Sequence, residues 1–143
     1  MGAIIQDLRY ALRSVAKAPV FGIQESGLLT ALVRGDRVGI IAVAEASVAR
    51  HMRYMRRMGA LDRVVAERPL NMTVDETARG NRTLDRLTEV GGQLLQDGAD
   101  AIILGCAGMA RHRAPLEERL GVPIIEPTQA AVAMAMGTVL AAG

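Results

Sequence analysis

Short apolar runs alternate with longer stretches of helical periodicity along this chain. The runs are Pro19–Ile23 (PVFGI), Arg37–Ala44 (RVGIIAVA), Arg63–Glu67 (RVVAE), Ala101–Leu104 (AIIL) and Val122–Ile125 (VPII). Near-continuous apolar runs of this length suit strands buried on both faces, as in a parallel sheet. RVGIIAVA is the strongest, and the Gly35-Asp36 pair before it is a turn signal. Between the runs, Ser47–Met58 sets Val48, Met52 and Met55 on one helical stripe, with Arg50, Arg53 and Arg57 elsewhere on the cylinder. Ser47 is the expected N-cap of that helix and Gly59 its stop. Asp75–Gln96 reads as one long helix carrying Leu84, Leu87, Leu94 and Leu95, weakened by Gly80 and by Gly91-Gly92. Ala114–Leu120 is a short helix ended by Gly121, and Thr128–Leu140 is an Ala/Met helix. The first 18 residues, with Ile5, Leu8, Leu12 and Val15 on one stripe, read as an amphipathic helix.

Strand–helix alternation at this spacing predicts an α/β fold, a three-layer parallel sheet of about four to five strands with helices on both faces. The whole of 1–143 is expected to form a single α/β domain, the helix of 1–18 preceding a lobe over 19–143. In such folds ligands bind outside the carboxyl ends of the strands. That rule directs attention to Gln24-Glu25-Ser26, Glu45-Ala46-Ser47, Gly105-Cys106-Ala107-Gly108 and Glu126-Pro127-Thr128.

Composition narrows the chemistry. A chain of 143 residues, 50% apolar and 22% charged, has enough apolar side chains for a core and is one domain or one lobe of something larger. Its single cysteine excludes an internal disulfide and a multi-cysteine metal cage. No uncharged apolar run approaches the ~18–20 residues that cross a bilayer. Asp7 and Arg9 interrupt any signal-peptide core, so a cytoplasmic protein without membrane contact is expected. The net charge is only +2, and aromatics at 2% leave few stacking platforms, which argues against a nucleic-acid partner. The phosphate-loop, dinucleotide, zinc-protease and serine-hydrolase signatures are all missing, so neither a metal nor an organic cofactor is expected.

Cys106 is the most informative residue. It follows a buried strand, stands between Gly105 and Ala107-Gly108, and precedes a polar segment. The amides of Ala107 and Gly108 are expected to point into the strand-end crevice, where they can hold a carboxylate or a developing enolate. Such donors also favour a thiolate. The plainer alternative is an inert, buried cysteine. Glu25, Ser47, Ser26 and Glu126 lie at strand ends, where each is either a substrate contact or a helix cap. His51 and His112 have the chemistry for proton transfer, although a surface or packing role is the simpler reading of each. Arg50, Arg53, Arg56 and Arg57 read as a solvated basic face.

The run DGADAIILGCAGM, ending at Met109, resembles the second cysteine motif of the aspartate/glutamate/hydantoin racemase superfamily. PVFGIQESG, RVGIIAVAEASVARHMRYMRRMG and LGVPIIEPTQAAVAMA are similar to the strands and helices around that motif, so the resemblance covers residues 7–141. It implies cofactor-independent proton transfer at the carbon next to a carbonyl. Family members use two cysteines, one from each pseudo-symmetric half, on opposite faces of the substrate. Carried over, Cys106 is the second-half acid/base with Ala107 and Gly108 as carboxylate or imide donors, and the strand-end rule adds Glu25 and Ser47 as substrate contacts. The first-half cysteine has no counterpart, and Ala42 and Ala44 stand where threonines are often found. The resemblance therefore implies a racemase-like enzyme for a small carboxylate, amino acid or hydantoin-like compound. A non-catalytic lobe serving as a binding module, or a one-cysteine decarboxylase like the related arylmalonate decarboxylases, are the alternatives. A lone lobe also exposes an apolar face, which predicts a homo-oligomer.

Overall fold

The computed structural model describes residues 20–79 and 82–141; the helix expected over the first 18 residues lies outside them. Four strands form one parallel sheet: β1 (Val38–Ala42), β2 (Val64–Pro69), β3 (Ala101–Leu104) and β4 (Ile124–Ile125), in the order β2-β1-β3-β4. Among the described residues six helices surround it: α1 (Ile23–Arg34), α2 (Glu45–Arg57), α3 (Val74–Arg79), α4 (Thr83–Gln96), α5 (Arg113–Leu120) and α6 (Pro127–Ala141). Short 3-10 turns occupy Leu61–Arg63 and Ala107–His112.

Every residue of β1 and β3 is buried, as strands covered on both faces require. Alternation divides them between two cores. Val38, Ile40, Ala101, Ile103 and Ile125 meet Leu28 and Ala31 of α1, Met55 of α2 and Ala130 of α6. Ile41, Ile102, Leu104 and Ile124 meet Leu87, Val90 and Leu94 of α4 and Leu116 of α5. The result is the expected three-layer arrangement. The chain leaves β1 through α2 on one face and leaves β3 through α5 on the other, so the switch point lies between these two adjacent strands.

Some expected elements change on folding. The described part of PVFGI, residues 20–23, is not a strand: Val20 is 90% exposed, Gly22 is the extended N-cap of α1, and Ile23 already belongs to that helix. The amide of Ser26 donates to the Gly22 carbonyl, so the backbone groups of this segment serve a helix rather than a ladder. The long helix expected over 75–96 is two helices, α3 and α4. Thr73 and Glu76 close a reciprocal capping box at the start of α3, with Thr73 N to Glu76 Oε2 at 2.7 Å and Glu76 N to Thr73 Oγ1 at 3.2 Å. The Thr83 hydroxyl then donates to the Glu76 carbonyl at 2.7 Å, tying the first turn of α4 to α3. Ser47 is not the N-cap of α2, which begins two residues earlier after Ala44; its hydroxyl donates back to the Ala44 carbonyl at 2.7 Å.

Two contacts position the strand ends. Opposite the crevice, Asp100 accepts from the amides of Asp36 and Arg37 at 3.1 and 2.8 Å, and these hydrogen bonds, Arg37 first, hold its carboxyl below the ordinary aspartate range. At the crevice end the Gly105 amide donates to the Ile41 carbonyl at 2.8 Å. A Cβ at Gly105 would lie 2.6 Å from that oxygen and 3.3 Å from Ala42 Cα. Both neighbours are backbone and cannot swing aside. Gly105→Ala should therefore destabilise the fold by about 1–3 kcal/mol, the usual cost of overpacking. A lowered urea midpoint at unchanged slope is the expected reading, and an unchanged midpoint would show that this approach is not close in solution.

Candidate active site

A cavity of about 250 Å³ opens at the carboxyl ends of β1 and β3. It is lined by Ile40, Ile103 and Leu104 of the sheet, by Gly105, Cys106 and Ala107 after β3, and by Arg50, His51 and Met55 of α2. Ile23 and Gln24 of α1 and Pro127 of α6 complete it. Most of this lining is apolar, with a few polar groups converging on it, the usual composition of a small-molecule site.

Cys106 occupies the N-cap position of the Ala107–His112 turn, with extended backbone, and its side chain is partly exposed. Its sulfur accepts from the Gly108 amide at 3.4 Å. The local sequence explains the geometry. Gly105 lets the chain pass against β1, and the turn that follows aims its unsatisfied amides back toward the capping residue. Ala107 lines the cavity, whereas the Gly108 amide is directed at the sulfur rather than left for a ligand. Both arrangements put hydrogen-bond donors around a group that carries negative charge as a thiolate.

His51 is on the cavity wall, and behind it is a residue that pattern reading passed over. His51 Nδ1 lies 2.5 Å from Oε1 of Glu67, whose side chain is only 1% exposed. Glu67 reaches this position through an irregularity in β2. Val38 pairs with Val64, but Gly39 then pairs with Ala66 and Ile40 with Glu67, so Val65 is an extra residue. Regular pairing would set Glu67 beside Ile41, on the face of α4 and α5. The bulge turns it to the face of Ile40, which the cavity and α2 share. Burial raises the carboxyl of Glu67 above the ordinary glutamate range, against the opposing influence of the His51 hydrogen bond and charge. Glu45 adds to the rise and Arg50 opposes it. Its second oxygen, Oε2, is buried without a hydrogen-bond partner.

The other sequence candidates are placed elsewhere. Glu25 is exposed, Ser47 bonds back to its own helix, and neither lines the cavity. Glu126 is buried as the cap of α6, its two carboxylate oxygens accepting from the amides of Thr128 at 3.0 Å and Gln129 at 2.8 Å. Ser26 is buried within α1. His112 is buried beside Thr77 outside the cavity, and desolvation, helped by the charge of Arg111, lowers its basicity. Of the arginines, Arg50 lines the cavity, and Arg50, Arg53 and Arg57 also border a shallow groove beside it with Gln24 and Tyr54. Among the described residues no group of three or more His, Cys, Asp or Glu side chains is placed to hold a metal ion, and no helix is long and apolar enough to cross a membrane.

Residues 7–135 match the family model described as Asp/Glu/hydantoin racemase. The chain belongs to that family. It is 34% identical over 135 residues to a hydantoin racemase of Rhizobium meliloti, an alignment covering 88% of this chain and 53% of the relative. A hydantoin racemase of Paenarthrobacter aurescens is 30% identical over 132 residues, covering 87% and 54%. Among solved structures, allantoin racemase from Klebsiella pneumoniae superposes with a TM-score of 0.82 at 27% identity, over 87% of this chain and 51% of that one. A variant of arylmalonate decarboxylase, at 21% identity and a TM-score of 0.60, shares the fold. This member of the racemase family thus spans about half the length of the relatives it matches.

Glu67 gives the site a measurable signature in stability. The folded carboxyl keeps its proton to higher pH than the unfolded one, so across that interval the native state binds more protons and stability declines as pH rises. Asp97 and Asp100, whose carboxyls are held low, contribute the opposite slope at lower pH and do so in any variant that keeps them. Glu67→Gln should lack the decline that wild type shows from the ordinary carboxylate range upward. Urea midpoints of both proteins from about pH 4 to about pH 8 measure it, and parallel curves would contradict the raised carboxyl.

Proposed function

We propose that this racemase-family chain carries out cofactor-independent proton transfer at the carbon next to a carbonyl, with Cys106 as acid/base. One observation carries the reading: Cys106 lines a small, largely apolar cavity at the strand switch point, with the Gly108 amide directed at its sulfur. A Cys106 thiolate removes the α-proton, and the electron pair of the broken C–H bond moves onto the carbonyl oxygen as an enolate. The thiol so formed is the acid for the return step. A cavity of this size fits a small ring or a short acid. The names of the relatives favour a hydantoin-like compound over other small carboxylates and amino acids. Ala107 and Gly108 act beside the sulfur, and we assign no substrate contact to Glu25 or Ser47, which do not border the cavity. We place the protein in the cytoplasm, where a lone thiol stays reduced.

The test is α-proton exchange in D2O, followed by NMR over hydantoin, 5-substituted hydantoins, allantoin, aspartate, glutamate and arylmalonates. Exchange on at least one compound, lost in Cys106→Ala, is the expected result. Exchange or decarboxylation without inversion assigns one-thiol chemistry to Cys106. No Cys106-dependent signal on any compound leaves a binding lobe without turnover and overturns the proposal.

We also propose that the chain self-associates. Helices α1 and α6 pack together and leave Leu29, Val33, Val132, Met136, Val139 and Leu140 exposed. Large apolar side chains exposed together on one helix pair are a common mark of an interface. Sedimentation at micromolar concentration should show a dimer or larger species, and the double variant Val132→Glu, Met136→Glu should shift it toward monomer. A clean wild-type monomer contradicts the interface.

A further inference from the structure

We propose that His51, held by Glu67, is a specificity-determining residue of this cavity, its Nε2–H donating to a carbonyl or carboxylate oxygen of the substrate. The proposal rests on the reading that the Cys106 cavity takes a small substrate. It concerns recognition and leaves the proton transfer to cysteine. Four lining side chains are polar or titratable: Gln24 on α1, Arg50 and His51 on α2, and Cys106. The rest of the lining is apolar side chain or glycine. Apart from the thiol, the polar side chains therefore come from α1 and α2, and each is a hydrogen-bond donor: an amide, a guanidinium and an imidazole. A few donors in an otherwise apolar cavity favour a ligand that carries acceptor oxygens.

Of these three, His51 is the one whose position the core fixes. Its Nδ1 lies 2.5 Å from Oε1 of the buried Glu67 carboxyl, which the extra residue Val65 brings to this face of the sheet. The His51 side chain keeps 14% of its surface open and borders the cavity. With Nδ1 engaged, Nε2 is the ring nitrogen without a partner among the described residues. Gln24 and Arg50 also border the shallow groove beside the cavity, and His51 does not. A solvated surface histidine would need neither a buried carboxyl nor a bulge.

The buried carboxyl also decides what Nε2 offers. A carboxylate sealed from water without a compensating charge is costly, and the second oxygen of Glu67 has no partner. The pair therefore keeps one proton between Oε1 and Nδ1. Whether that proton sits on the oxygen or on the nitrogen, the ring's other hydrogen is on Nε2. Nε2 is then a donor, matched to an acceptor oxygen rather than to an N–H group. A ring free to exchange tautomers would make no such distinction.

The experiment reads binding and needs no turnover. The full chain, ¹⁵N-labelled at its two histidines and at its backbone amides, is titrated with each compound of the D2O panel, and circular dichroism checks that every variant folds. In the free protein the His51 ring should be protonated at Nε2 near neutral pH, and a bound compound should shift that signal. His51→Asn keeps an amide within reach of Glu67 but removes the group that extends to the cavity. It should weaken binding by about tenfold or more, as expected for a lost hydrogen bond to a charged partner. His51→Gln, whose amide reaches the Nε2 position, should recover part of that loss. Arg50→Gln separates the two ligand classes, weakening a carboxylate and sparing a neutral hydantoin. Cys106→Ala should lose proton exchange and still shift Nε2. Shifts confined to the amides of Ala107 and Gly108, with wild-type affinity in His51→Asn, overturn the role of His51 and leave the cysteine reading standing. Binding that depends on His51 without exchange that depends on Cys106 overturns the cysteine reading alone. A wild-type chain that binds no compound, or a free ring with Nε2 bare, overturns the proposal.

Discussion

The structure depends on how closely β1 and β3 approach at their carboxyl ends. These are the two central strands, and their apolar side chains supply both cores. Their ladder continues one step beyond β3, where the Gly105 amide reaches the Ile41 carbonyl and leaves no room for a Cβ. Past that point the chain turns through Ala107–His112 into α5, which packs on the face opposite α2. Cys106 stands at the divergence. The crevice is therefore a consequence of topology: connections that leave adjacent parallel strands toward opposite faces leave a gap above the sheet. What the sequence adds is a glycine small enough to let the strands meet and a thiol where they part.

A second constraint acts at the edge of the sheet. Parallel pairing sends successive side chains to alternate faces, so a single inserted residue redirects everything after it. Val65 does this in β2. Downstream, Glu67 moves beneath α2 and Arg68 to the other face, where its guanidinium grips Asp97 with two hydrogen bonds of 2.6 and 2.8 Å. That ion pair ties the edge strand to the end of α4, and the Arg68 hydrogen bond holds the Asp97 carboxyl below its ordinary range. Both side chains keep partial access to solvent, which screens the pair, so it contributes more to register than to stability. The bulge and the clamp act together: one turns Glu67 inward, the other is available only in the register that does so.

Much of this was legible in the residues. The four runs that became strands are those with consecutive β-branched or leucine side chains, and the strand-end rule led to Cys106. PVFGI failed because an apolar run is a strand only if a ladder receives its backbone, and Gly22 gives its carbonyl to a helix instead. The start of α3 was present in the sequence as Thr73-Val74-Asp75-Glu76, a capping box at the head of the apparent helical pattern, and the weak helix propensity of Gly80 was the sign of a division before α4. Glu126 was placed correctly at a strand end, but its carboxylate is used up on two amides of α6. Glu67 left no comparable trace. An acidic residue at the end of a short apolar run reads as the solvated tip of a strand, and only the register, which is a pairwise property of two strands, reveals that it points inward.

Glu67 is also a place where local consistency is broken. An acceptor buried without a partner costs about 1–3 kcal/mol, and Oε2 is such an atom. A leucine or methionine would fill the same volume beneath α2 without that cost, since replacing buried charged groups by apolar ones of similar size is often neutral or stabilising. A fold selected for stability alone has no reason to keep a carboxylate there, or to carry the bulge that delivers it. Departures of this kind are expected where a site needs a charge more than the core needs packing. The carboxyl lies behind the one imidazole that lines the cavity, and Cys106 lines the same cavity. The cost is thus located at the cavity, where the bulge and the buried carboxyl together fix the position of an imidazole.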